Sequence, residues 1–354
     1  MNDRIRWIRN NLKSQNIQGM IVSNPINIKY LTGIDAEGIL ILTLKENIYI
    51  TDDRYIEEVR RIITIDDEIV VTNVRELSSD DYENFFMFCE TVGFEENYVT
   101  YAKYKEIMQK YKMHELVETE GIIEKQRQIK DEEEIENIRK ACEITDNCFS
   151  YLLSYIKKGM TEKQIANEIE KFFKENGASG TSFDTIVASG ENSSKPHAVP
   201  SDRKIQSGDV ITIDMGCKVN GYCSDMTRTI FIDYVQEYIK NIYDIVKKNQ
   251  ELALFEIKSG ANIKMIAKII DSNFKMHDHE MVHALGHGVG LDIHEGPIIA
   301  MKNEKSLKSG MVITDEPGIY VPGKYGVRIE DTLLVTDNGY EVLTKSSKDY
   351  CIIK

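Results

Sequence analysis

Two stretches of this chain, about a hundred residues apart, are variations on one design, and that repeat limits the possible fold more than any other feature. Residues 156–169 (IKKGMTEKQIANEI) resemble residues 257–270 (IKSGANIKMIAKII). Each copy has a helix-stopping glycine, Gly159 or Gly260, and a helix-capping residue two places on, Thr161 or Asn262. Apolar residues at helical spacing follow. Farther along, residues 207–214 (SGDVITID) echo residues 309–316 (SGMVITDE), with an offset of 102 against 101 in the first pair. Two halves, each of helices and strands, related by a pseudo-twofold axis, are therefore expected. The alignment sets Asp214 against Glu316. An acid matched to an acid at the end of an apolar strand has no core-packing explanation, because burying a carboxylate without a partner is costly.

The first acid lies in a segment whose register is readable. Asn220-Gly221 sits between strand-like runs spanning 210–230, the signal for a two-residue type I′ hairpin. Such a loop pairs residues whose numbers sum to 441, so Asp214 faces Thr227 and Asp225 lies two residues away on the same face. The two carboxylates become diagonal neighbours, about 7–8 Å apart at the backbone. A three-residue loop would put them on opposite faces. The same register sends Cys217 and Cys223 to opposite faces and argues against a disulfide between them. In the second half, Glu316 follows the strand 311–314 and Glu330 lies within 327–335, the same design with a longer loop. Four carboxylates then converge on the pseudo-dyad. They would repel strongly in a low-dielectric site unless cations joined them, and a divalent pair about 3.5–4 Å apart answers that need.

Histidines complete the pattern, five of the seven falling between positions 277 and 294. His283 and His287 are four apart, a zinc-pair spacing on a helix, but Gly286, Gly288 and Gly290 favour a strand that another backbone approaches closely. These glycines lack the spacing of a dinucleotide loop. His277 and His279, on a polar stretch, read as structural. His287 reads as the ligand that completes one ion's shell.

The rest of the chain bounds the context. Ile5, Trp7, Ile8 and Leu12 space as a short amphipathic helix. Residues 19–22, 38–44 and 47–51 read as strands, the last two joined by a tight turn at Lys45-Glu46. A small α/β domain over 1–124 is expected. A charged stretch over 125–134 then reads as a linker running into a long helix with acids at its start, opening a second domain over 125–354. Forty-four Lys+Arg against 58 Asp+Glu give a net charge of −14. That argues against nucleic acid and against an anionic membrane surface as partner. No apolar run approaches the roughly 18 residues of a membrane span, and residues 1–11 are too polar for a signal peptide. Six scattered cysteines without a CxxC pair fit reduced thiols and a cytoplasmic location.

Residues 130–354 resemble the pita-bread metallopeptidases through Lys195-Pro196-His197-Ala198, Asp214-Met215-Gly216, Ser224-Asp225-Met226-Thr227-Arg228, His283-Ala284-Leu285-Gly286-His287-Gly288-Val289-Gly290, His294-Glu295, Glu316-Pro317-Gly318 and Arg328-Ile329-Glu330-Asp331. The first domain is similar to the creatinase/prolidase N-terminal domain through residues 27–33 (NIKYLTG) and 51–55 (TDDRY), which narrows the resemblance to the proline-directed branch. The implied fold is α+β, a pita-bread catalytic domain with an internal repeat behind a smaller α/β domain. The implied activity is hydrolysis between an N-terminal residue and a following proline, as Xaa-Pro aminopeptidase or Xaa-Pro dipeptidase. A hydroxide bridging two divalent ions (manganese, or else cobalt or zinc) would attack the scissile carbonyl. The resemblance implies that Asp214 chelates one ion, that His287 and Glu316 bind the other, and that Asp225 and Glu330 bridge both. Glu316 also becomes the proton shuttle, His197 and His294 donors to the developing oxyanion, and His283 and Arg328 substrate-orienting groups. A salt bridge from Arg328 to Glu330 or Asp331 is the structural reading of that arginine. Proline-containing peptides or dipeptides are the implied substrates, and a homodimer the implied assembly. Two other readings stand beside this one, a creatinase-like hydrolase using histidines without metal, and a silent pita-bread binding module. Either would be expected to have lost acidic ligands that are all present here.

Overall fold

The protein is described from a computed structural model, which covers residues 3–64, 68–113 and 115–354. The first two residues of the polar start at 1–11 lie outside the described residues. The chain divides into two compact units, Met1–Arg127 and Gln128–Lys354.

In the first unit, strands β1 (Gly19–Val22), β2 (Ile39–Thr43), β3 (Asn47–Thr51), β4 (Ile69–Asn73), β5 (Val92–Phe94) and β6 (Leu116–Glu118) form one sheet in the order β4-β3-β2-β1-β5-β6. The turn at Lys45-Glu46 closes β2 on β3, with the Thr43 amide donating to the Glu46 carbonyl at 2.9 Å. The helix Asp3–Ser14 buries Ile5, Ile8 and Leu12. Trp7 departs from that expected face and is 40% exposed, because two residues along a helix turn about 200° away from Ile5. The charged stretch expected as a linker is partly helical, since Lys125 and Arg127 belong to the helix Ile122–Arg127. Asp131 then caps the helix Glu132–Tyr155, in a capping box with Glu134.

The second unit shows the repeat as geometry. Thr161 caps the helix Glu162–Glu175 and Asn262 caps the helix Ile263–Met276, each by accepting a backbone N–H three residues on. Gly159 and Gly260 both hold positive φ, 92° and 87°. Their amides donate to Ile205 and Leu307, both at 2.9 Å. Thr161 bridges to Lys204 as Asn262 does to Ser306. Further strands follow: β7 (Gly180–Thr181), β8 (Ile186–Ser189), β9 (Val210–Met215), β10 (Cys217–Val219), β11 (Tyr222–Cys223), β12 (Met226–Ile232), β13 (Gly286–Gly288), β14 (Glu295–Ile299), β15 (Val312–Asp315), β16 (Gly318–Val321), β17 (Tyr325–Arg328), β18 (Asp331–Val335), β19 (Tyr340–Val342) and β20 (Cys351–Ile353). One main sheet runs β20-β12-β9-β8 and the other β14-β13-β15-β18-β19.

Strand alternation sorts these sheets into two faces. Ile211, Ile213 and Met215 of β9 pack with Phe149, Leu152, Ile165 and Phe173 of the first pair of helices. Ile313, Leu333 and Val335 pack with Val246, Ile266 and Phe274 of the second. Polar residues between them, Thr212, Asp214 and Thr314, lie on the opposite side of each sheet. That side is where the two halves meet.

Candidate metal centre

The hairpin register is the one the Asn-Gly turn dictates. Asn220 and Gly221 have φ of 52° and 91°, as a type I′ turn requires. Lys218 pairs with Cys223, and Thr227 with Asp214. The strand pairing is nonetheless interrupted at Gly216 and at Ser224-Asp225. Asp225 is therefore not a strand residue, and its carbonyl accepts instead from the Thr332 hydroxyl of the other half at 2.7 Å. The second half departs further from expectation. Glu330 is not in a strand, because a separate hairpin, β16 on β17, is inserted between β15 and β18. Both pairs of strands keep partner numbers summing to 646, so Glu316 and Glu330 fall opposite each other in the gap between them.

His287 sits at the centre of β13, as the glycine pattern implies. A Cβ on Gly286 would lie 2.1 Å from the Thr314 carbonyl oxygen, and one on Gly288 would lie 2.2 Å from that of Gly296. Only glycine lets these backbones approach and bring His287 between its neighbours.

All the expected site residues line one cavity of about 430 Å³: Asp214, Asp225, His287, Glu316 and Glu330, with His197, His283, His294 and Arg328. One ligand atom from each of Asp225, His287 and Glu330 lies within 4.8 Å of the others. His287 Nε2 faces Asp225 Oδ2 and Glu316 Oε1, both at 3.5 Å, beyond the usual hydrogen-bond range. Its Nδ1–H donates to the Gly288 carbonyl at 3.1 Å, which leaves the Nε2 lone pair aimed among the acids. Burial holds this imidazole down to about 4, so it is neutral and ligand-ready.

The carboxylates are crowded together in a buried site, and each raises the others' affinity for protons. Burial, then Glu330 and Asp214, push Asp225 well above the usual range. Burial, then Glu316 and Asp214, do the same to Glu330. Burial raises Glu316 to about 7, with the Asp214 charge adding to the shift and Arg328 opposing it. Asp214 keeps one buried oxygen, Oδ1, without a hydrogen-bond partner among the described residues. Four acids, one neutral imidazole and an orphaned carboxylate oxygen fit divalent cations of the hard-to-borderline kind.

Arg328 makes a different ion pair from the one expected. It donates to Asp214 Oδ2 at 2.5 Å, whereas Asp331 is taken by Arg228 and Lys348. Glu330 is reached only indirectly. Arg328 Nε donates to the Thr227 hydroxyl at 3.0 Å, and that hydroxyl donates to Glu330 Oε2 at 2.6 Å. Sequence reasoning missed Tyr320, whose hydroxyl accepts from Arg328 at 2.6 Å and donates to His283 Nε2 at 3.0 Å. It also missed Thr314, which accepts from the His287 amide and donates to Glu316 Oε1. Thr314 was open to discovery, since it aligns with Thr212 in the repeat. Nothing in the sequence marks Tyr320. His294 stacks edge-on against His287, with centroids 4.4 Å apart. His277 caps the helix Ile263–Met276 away from this cavity.

Residues 136–337 match metallopeptidase family M24, and residues 4–129 match the creatinase/prolidase N-terminal domain. The chain is 36% identical to the Xaa-Pro dipeptidase of Pyrococcus furiosus, over 99% of each chain. Among solved structures it is similar to an Xaa-Pro dipeptidase from Bacillus anthracis, with a TM-score of 0.93, 34% identity and 99% of each chain covered. It is similar also to the X-Pro aminopeptidase of Thermotoga maritima, with a TM-score of 0.88 and 31% identity over 97% of this chain and 100% of that one.

Proposed function

Because this chain belongs to metallopeptidase family M24 and carries a creatinase/prolidase N-terminal domain, we propose that the cavity between its two halves is the active site of a proline-directed exopeptidase. The protein is a metal-dependent Xaa-Pro peptidase, with proline-containing dipeptides as substrates. The observation that carries the site assignment is the convergence of Asp225, His287 and Glu330 ligand atoms within 4.8 Å. Asp214, Asp225, His287, Glu316 and Glu330 would hold two divalent ions, with Asp225 and Glu330 shared between them. When bound, such ions polarise a carbonyl and lower the pKa of water near neutrality.

The chain's own groups do the rest. Glu316 has one oxygen within hydrogen-bond reach of Thr314 and takes a proton from the attacking water, then delivers it to the departing proline nitrogen. His197 and His294 present N–H donors to the carbonyl oxygen as charge develops on it. The His283 Nδ1–H is engaged by the Ala284 carbonyl at 2.7 Å and its Nε2 by Tyr320, so the ring is locked as a wall of the substrate site. Arg328, saturated by Asp214, Thr227 and Tyr320, orients Asp214 and that wall in addition to any contact with substrate. A prolyl nitrogen has no N–H to recognise, so ring shape must be read by apolar lining, and Phe183, Ile186 and Ile298 supply it.

Four carboxylates against one imidazole favour manganese among the candidate ions. A cytoplasmic homodimer is the expected working form, to be read by light scattering. The test is to remove metal with a chelator, restore manganese, cobalt or zinc in turn, and assay one Xaa-Pro dipeptide beside one Xaa-Pro-Xaa tripeptide. Chelator-sensitive cleavage restored best by manganese is expected. Comparable rates on the tripeptide would make the enzyme an aminopeptidase, and chelator-insensitive hydrolysis would overturn the site. A metal-free creatinase-like hydrolase or a silent binding module gains no support from the comparisons.

A further inference from the structure

Arg228 follows Thr227 in β12, and strand alternation turns it away from the cavity that Thr227 faces. It is 1% exposed, yet each of its five N–H groups has an acceptor. Nε donates to the Ser347 carbonyl at 3.2 Å, and Nη1 to the carbonyls of Thr227 and Glu330 at 3.0 and 2.5 Å. Nη2 donates to Asp331 Oδ1 and to the Ser346 carbonyl, both at 2.7 Å. Asp331 is engaged on both oxygens as well. Thr344 donates to its Oδ1 at 3.0 Å, while Gln250 and Lys348 donate to its Oδ2 at 2.9 and 2.5 Å. These partners come from both halves. Thr227 and Arg228 lie in the sheet of β9 and β12, whereas Asp331 opens β18 in the other sheet, directly after Glu330. Ser346, Ser347 and Lys348 belong to the irregular segment 343–350, which leaves β19 in one sheet and enters β20 in the other. That strap is fastened to the helix Glu132–Tyr155, where Asp146 accepts from the amides of Lys345 and Ser346 at 2.7 and 2.8 Å.

One guanidinium therefore joins three pieces of chain behind a single proposed ligand. Arg228 holds the Glu330 carbonyl, and the Thr227 carbonyl accepts from the Glu330 amide at 3.1 Å. Both main-chain polar groups of Glu330 are thus fixed to the opposite half. The arrangement needs a planar fork, because lysine would keep the charge but offer only three donors from one point. We infer that Arg228, backed by Asp331, Lys348 and the strap, is a positioning residue for the metal centre. It sets where Glu330 stands relative to Asp214 and Asp225, and so how tightly the ions are held. The inference rests on the metal-centre reading and adds to it a support that the ligands alone do not supply.

Partners that orient metal ligands from outside are worth about 10–100-fold in metal affinity. The test is calorimetric titration of manganese into the full-length, metal-stripped protein, beside turnover of an Xaa-Pro dipeptide at limiting and at saturating manganese. Arg228→Lys should weaken manganese binding at least about tenfold and raise the manganese needed for half-maximal turnover in step. Its kcat at saturating manganese should recover, because every ligand is still present. Lys348→Met leaves Arg228 and its bonds in place, and decides the matter if the buried variant fails to fold. It should weaken binding about threefold, the scale of one partly exposed ion pair. Lys247→Ala is the control, since Lys247 reaches the same strap through Asp349 at 2.6 Å, outside the Arg228 network. It should leave the affinity unchanged. Wild-type affinity in folded Arg228→Lys, or in Lys348→Met where Arg228→Lys does not fold, would overturn the inference. So would a kcat that stays low at saturating manganese, or an equal loss in Lys247→Ala, which would mark a general loosening of the strap. A wild-type protein that takes up no manganese would defeat the metal-centre reading itself, and this inference with it.

Discussion

In the proposed metal centre, Asp225 is the residue on which most would depend. It is 4% exposed, its backbone is tied across the two halves by Thr332, and as a shared ligand it would serve both cations at once. Asp225→Asn is expected to lower metal stoichiometry and cut turnover by more than about a hundredfold, beyond what loss of an outer-shell partner costs. Circular dichroism should stay native, and full activity in that variant would sink the assignment. Glu316 offers a test that needs no substrate. Its carboxyl is lifted from an ordinary 4.5 to about 7, chiefly by burial. In metal-free protein the folded state therefore binds this proton more tightly than the unfolded state does. Its contribution to stability is full below about pH 4.5 and falls as pH rises through about 7, because the unfolded chain ionises first. Chelated wild type should lose melting temperature over that window, and Glu316→Gln should lose less. Divalent ions should remove the difference in slope. A Glu316→Gln curve parallel to wild type would refute the argument.

At the scale of elements, the decisive piece is β13. Three residues carry the only imidazole among the five proposed ligands, and two of them are glycines because other backbones occupy the space a side chain would need. A Cβ on Gly288 would stand 2.2 Å from the Gly296 oxygen, and backbone cannot swing aside as a side chain can. Gly288→Ala is expected to cost about 1–3 kcal/mol in urea unfolding, the scale of overpacking a close-packed site, and to reduce metal binding. Gly180→Ala is the control, since nothing lies within 4 Å of its added Cβ. It should stay within about 0.5 kcal/mol of wild type. Equal behaviour of the two variants would show that β13 tolerates side chains after all. The inserted hairpin β16–β17 matters for another reason. It carries both Tyr320, within β16, and Arg328, at the end of β17, so one small element clamps both His283 and Asp214.

For the molecule as a whole, specificity is the property at stake. The cavity pairs a charged floor with apolar walls at Phe183, Ile186 and Ile298, a shape suited to a ring attached to an amide that has no hydrogen to offer. Xaa-Ala peptides are expected to be cleaved at least about tenfold more slowly than Xaa-Pro, in line with a few missing methylenes in an apolar pocket. Matched-pair kinetics decide this. Equal rates would leave a dinuclear aminopeptidase without proline selectivity. Among the described residues no helix is long and apolar enough to cross a membrane, and all six cysteines are free thiols.

What sequence alone determined was whatever depends on local chemistry or on repetition. Asn220-Gly221 dictates a turn with two positive φ values, and strand alternation then carries that register to Asp214 and Thr227. The offset of 101–102 residues carries the design to Glu316. The glycines around His287 exclude a helix because a helix would gain nothing from them. Contacts between elements distant in the chain were beyond reach. The pairing of Arg328 with Asp214 joins residues 114 apart, and Tyr320 enters the site only because an inserted hairpin folds over it. Thr332 holds Asp225 across the pseudo-dyad. Each of these partners is chosen by which polar groups are buried together once the two sheets face each other, and a buried charge takes whatever partner the packing puts within reach.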